Sequence, residues 1–228
     1  MQRLNDTHGP NTIARALRYL ELRLAGYPEF GEFRTIVSGL RKSFALEHGA
    51  FTEAQEARIA ATAELGVLDD GVDRLVLSIG QLALGVFDRN REHPKFRQAF
   101  PMSPSNMVQG VGGDRQARFV ANLSATIKSD DAYLPLRDKG LELERLATQL
   151  NEAQARRQDL WQQEAAARVK YELAADAVRR EYNALYHQFM LRMPDRAAEV
   201  ETFFLTLHPS GRRAPGSDTP VADDPAAV

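Results

Sequence analysis

LELERLATQLNEAQARRQDLWQQEAAARVKYELAADAVRREYNALYHQFMLRM, residues 141–193, holds neither glycine nor proline. It is rich in Ala, Leu, Glu, Gln and Arg, all strong helix formers. One unbroken helix over this stretch is about 80 Å long at 1.5 Å per residue. Leu143, Leu146, Leu150, Ala153, Leu160, Ala167, Tyr171, Ala174 and Val178 follow the three–four spacing of a coiled-coil seam. Two charged residues, Arg157 and Glu164, fall on that seam and weaken it. Beyond Val178 the pattern slips by one residue to Tyr182, Leu185, Phe189 and Met193, which changes the local supercoil. The spacing also admits a hairpin folding back near Asn151 to Asp159.

Upstream, the three–four spacing continues in shorter pieces. Ile13, Leu17, Leu20 and Leu24 define a first helix, ended by Gly26. Phe30, Phe33, Val37, Leu40 and Phe44 mark a second, closed by Gly49. Thr52 and Gln55 match a capping box for a third, which runs to about Leu65. Gly66, Asp69, Asp70 and Gly71 interrupt the pattern before a fourth helix with Val72, Leu75, Ile79, Leu82 and Val86 on one face. Val76, Leu77, Ala83, Leu84 and Phe87 widen its apolar surface, as expected for the central helix of a bundle. Gly80 and Gly85 read as sites of close helix crossing. Residues 93–113 hold three prolines and three glycines and read as a long loop with one turn near Phe96 to Phe100. A fifth helix starts near Asp114 and carries Phe119, Leu123 and Ile127.

Downstream, Pro194 and Asp195 restart a short helix with Val200, Phe203, Phe204 and Leu207. Residues 209–228 carry no stripe to bury and read as a disordered tail. The expected fold class is all-α: a helical bundle over 1–130, then a long coiled-coil-like helix and a short terminal helix over 131–208.

Composition narrows the chemistry. Residues 1–130 hold 16 Lys and Arg against 15 Asp and Glu, and 131–228 hold 13 against 16, so neither half is a charged arm. Without cysteine there is no disulfide framework, thiolate metal site or Cys nucleophile. No secretory leader is expected from MQRLNDTHGPNT, and a cytoplasmic location is. Only Lys42, Lys95, Lys128, Lys139 and Lys170 are lysines, and this Arg and Ala bias points to a GC-rich bacterial genome.

No catalytic signature emerges. None of His8, His48, His93, His187 and His208 has an acidic residue three positions before it, so an inward-facing di-metal site is not expected, nor is any cofactor. His187 reads as a partly buried imidazole. The run from Gln109 to Arg115 lacks the strand and the Gly-Lys ending of a phosphate loop and reads as a linker capped by Asp114. Arg89, Arg91, Lys95 and Arg97 form the one local basic cluster, best explained as offsetting the dipole of the fourth helix. Nucleic acid is not an expected partner.

A rod of about 80 Å outruns a bundle of ordinary helices, so its seam needs another cover. The expected function is a non-enzymatic helical scaffold or adaptor, with itself or another helical protein as partner. The expected interaction residues are Leu146, Leu150, Leu160, Tyr171, Val178, Tyr182 and Phe189. Two alternatives remain open. One is a membrane-active protein using Leu75 to Phe87. The other is an enzyme or ligand binder with a site under the loop of residues 94–113.

Overall fold

The computed structural model describes residues 3–108 and 114–206. Among these there is no strand, and the protein is all-α. Its helices are α1 (Pro10–Leu24), α2 (Gly31–Val86), α3 (Pro94–Ala99), α4 (Pro104–Val108), α5 (Asp114–Ser129), α6 (Arg137–Arg192) and α7 (Ala197–Phe203). Short 3-10 segments precede α2, α6 and α7. The expected tail at 209–228, Leu207, His208 and the run 109–113 lie outside the described residues.

The long helix expected over 141–193 is present as α6, unbroken, which excludes the hairpin near Asn151 to Asp159. The main correction concerns its neighbour. The second, third and fourth expected helices are one helix, α2, and like α6 it is 56 residues long. Gly49, Gly66 and Gly71 lie inside it, and none takes the left-handed φ of a glycine cap. An interior glycine costs only about 1 kcal/mol against alanine, which packing against another helix easily offsets.

Nor do the compact units follow the division expected at residue 130. One unit joins Met1–His48 with Lys170–Val228, and the other is Gly49–Val169. Each takes part of α2 and part of α6.

In the first unit α1, the start of α2, the end of α6 and α7 enclose one core. Ile13, Leu17, Leu20 and Leu24 are all buried, as their spacing requires. The α2 stripe of Phe33, Val37 and Phe44 meets Val178, Tyr182, Leu185 and Phe189 of α6. Phe33 and Phe189 lie 4.6 Å apart by ring centroid, and Phe44 and Tyr171 5.9 Å, so the two helices run antiparallel here. Phe203 closes the core edge-on against Tyr27 at 4.9 Å. At the rim Asn183 clamps Leu4: its amide oxygen accepts from Leu4 N–H at 3.1 Å, and its amide nitrogen donates to the Leu4 carbonyl at 3.0 Å.

The second unit is built on the rest of the long helices with α3, α4 and α5. Val72, Val76, Ile79 and Ala83 of α2 pack with Phe96, Phe100, Met107, Leu123, Ile127, Tyr133 and Leu143. The buried face is therefore rotated from the expected one, and Leu82 points to solvent. Gly80 does mark a close crossing, since a Cβ there would meet the Pro104 ring at 2.5 Å; Gly85 does not, with nothing within 4 Å. Gly140 supplies a second crossing, where a Cβ would meet Ile127 Cγ2 at 2.9 Å. The buried Ser124 hydroxyl donates to the Gly140 carbonyl at 2.9 Å beside it.

Candidate interaction surface and loop groove

The expected interaction residues divide by burial. Val178, Tyr182 and Phe189 are buried in the core of the first unit, and Tyr171 packs against that core. Leu146 and Leu150 pack against the core of the second unit. Leu160 is half-buried in neither core. Much of the seam is thus covered from within the chain, contrary to the expectation that no other helix is long enough. Its cover includes α2, whose full length was hidden by internal glycines, with α1 and α7 beside it in the first unit.

One of the two seam charges, Glu164, also finds a partner in the second unit, and Arg156 beside the other is paired. Arg58 of α2 donates to the Glu164 carboxylate, and Arg156 of α6 pairs with Glu64 of α2 at 3.1 Å. The helices are antiparallel here as well. Around these contacts the packing is thin: from residue 49 to 71 of α2 only Ala61 is fully buried. Large apolar side chains face water on the same stretch. Ile59 and Val67 of α2 are 54% and 67% exposed, and Trp161 and Val169 of α6 are each 56% exposed. Trp161 borders a groove of about 400 Å³ with Arg58, Thr62, Arg157 and Gln158. The seam analysis missed these residues because they lie off the seam; the lone tryptophan in a polar run was the available signal.

The expected long loop is largely helical. Pro94 and Pro104 begin α3 and α4, where the missing N–H does no harm. The His93 ring nitrogen accepts from Lys95 N–H at 3.3 Å, and Ser103 Oγ from Asn106 N–H at 3.2 Å. The Tyr133 hydroxyl donates to the Lys95 carbonyl at 2.6 Å, and burial pushes its pKa up to about 12. A groove of about 440 Å³ lies between this segment and α2.

The basic cluster is dispersed. Lys95 pairs with Asp130, and Arg97 with Glu92 at 3.1 Å. Asp88 and Arg89 take left-handed φ values of 50° and 61° at the end of α2, where Arg89 N–H donates to the Leu84 carbonyl at 2.7 Å. His187 is exposed, not half-buried as expected, with its ring 5.6 Å from that of Tyr186.

Among the described residues no group of three His, Cys, Asp or Glu is placed to hold a metal ion. None of their helices is long and apolar enough to cross a membrane. No family model, curated protein or solved structure matches this chain. The fold therefore defines the class alone: an all-α protein built on two long helices paired antiparallel in each of its units.

Proposed function

We propose that this chain is a non-enzymatic helical scaffold or adaptor that acts through protein–protein contacts, with a second copy or another helical protein as partner, in a cytoplasmic setting. One observation carries the reading. The long helices of the second unit expose Ile59, Val67, Trp161 and Val169 along a stretch where their mutual packing is thin. Water contact at these side chains is unfavourable by about 25 cal/mol per Å² of apolar surface, and a helical partner relieves it.

Sedimentation equilibrium across a wide concentration range, with Trp161 emission read in parallel, tests the proposal. Self-association should shift the emission to the blue, and Trp161→Gln with Val169→Gln should abolish the heavier species while leaving helicity intact. A chain that stays monomeric with solvent-exposed tryptophan emission at every concentration removes the second copy as partner.

A further inference from the structure

The groove between α2 and the segment of residues 91–105 has the composition of a ligand site. Its floor is apolar, from Leu77 and Leu84 of α2, Phe96 of α3 and Phe100 at the end of α3. Its rim is polar, with Arg91, Glu92, Arg97, Ser103 and Ser105. Its volume of about 440 Å³ falls within the range of small-molecule sites, which pair an apolar lining with a few placed polar groups.

The rim charges narrow the ligand. Arg97 and Glu92 neutralise one another at 3.1 Å. Arg91 makes no ion pair or hydrogen bond among the described residues, so one free guanidinium stands beside an apolar floor. Two costly features build the walls. Gly80 lets Pro104 sit against α2 where any Cβ would collide with it. Asp88 and Arg89 are two consecutive non-glycine residues at positive φ, a strained turn that brings Arg91 and Glu92 back to the groove lined by Leu84.

We infer that this groove binds a small amphipathic anion, a free molecule with an apolar chain or ring and one carboxylate-like head held by Arg91. The guanidinium fork suits a carboxylate, repels a cationic head and is left without a counter-charge by a neutral one. The groove lies within the second unit, and the inference does not depend on the proposed partner contacts.

Titration calorimetry of the full chain with decanoate, decanol and decyltrimethylammonium tests it. Decanoate should bind saturably, decanol should bind more weakly, and the ammonium compound should not bind. Arg91→Gln should weaken decanoate binding by about tenfold or more, the loss of one charge-assisted hydrogen bond. Lys42→Gln, in the first unit and away from the groove, should leave binding unchanged. The inference is overturned if decanoate does not bind, if Arg91→Gln binds it as the parent does, or if the ammonium compound binds as well. Flotation with phosphatidylglycerol vesicles, without decanoate binding in solution, also overturns it and points to a lipid surface instead.

Discussion

Arg58 of α2 donates its Nε–H to the carboxylate of Glu164 on α6. In the sequence Glu164 is a flaw in a heptad seam. In the fold it has a guanidinium partner on an antiparallel helix of the same chain. A charge on the seam therefore needs no second copy to satisfy it.

Arg58→Leu should lower the unfolding free energy by about 1 kcal/mol in urea, a figure kept small because Arg58 is partly exposed. The loss arises from stranding a largely buried Glu164. Adding Glu164→Leu should recover parent stability or exceed it, because an apolar pair restores the heptad. A double variant less stable than Arg58→Leu alone would contradict this reading.

Phe189 and Leu160 entered the sequence analysis as equals, but only Phe189 is buried in a core. Phe189→Ala should cost about 3–5 kcal/mol, through lost burial and the cavity left among Phe30, Phe33 and Phe203. Leu160→Ala should cost under about 1 kcal/mol. Guanidinium denaturation of the two variants separates them, and equal losses would put Phe189 outside the core.

Glycine substitutions should split by tertiary contact. Gly66→Ala should raise the melting temperature, since its Cβ meets nothing within 4 Å and alanine gains up to about 1 kcal/mol in a helix. Gly140→Ala should lower it, because the new methyl group meets Ile127 on α5 and crowds the Ser124 hydrogen bond. Calorimetric scans of both variants check the signs.

Asp130 responds to pH in a direction that its partners set. The hydrogen bond from Lys95, then that from Ala132 N–H, holds its carboxyl below the ordinary 3.8. A carboxyl with a lowered folded-state pKa stabilises the fold above its unfolded pKa, and that contribution is lost as pH falls through the folded pKa. Carboxyl-carbon NMR should therefore place the Asp130 midpoint below 3.8, and Lys95→Met should move it upward. A midpoint unmoved by Lys95→Met would mean that the ion pair does not form in solution.

The sequence by itself determined the all-α class, the helical character of residues 141–193 and the buried faces of α1 and the start of α2, because spacing and helix propensity are local properties of the chain; that α6 runs unbroken was decided by the fold. It also identified Gly80 as a crossing point, from its place in an apolar run. What only the tertiary structure decided was which glycines end a helix and what covers the seam. Gly26 follows α1, whereas Gly49, Gly66 and Gly71 lie inside α2. None of the four takes a left-handed φ, so the local backbone signal of a glycine cap does not separate them. With α2 read as three pieces, α6 lacked a companion of its own length, and Val178, Tyr182 and Phe189 became interface candidates. Residues more than a hundred positions away, from Phe33 to Arg58, cover the seam and hold its charge. No local pattern reports such a pairing, because its free energy comes from surfaces that meet only after the chain has folded.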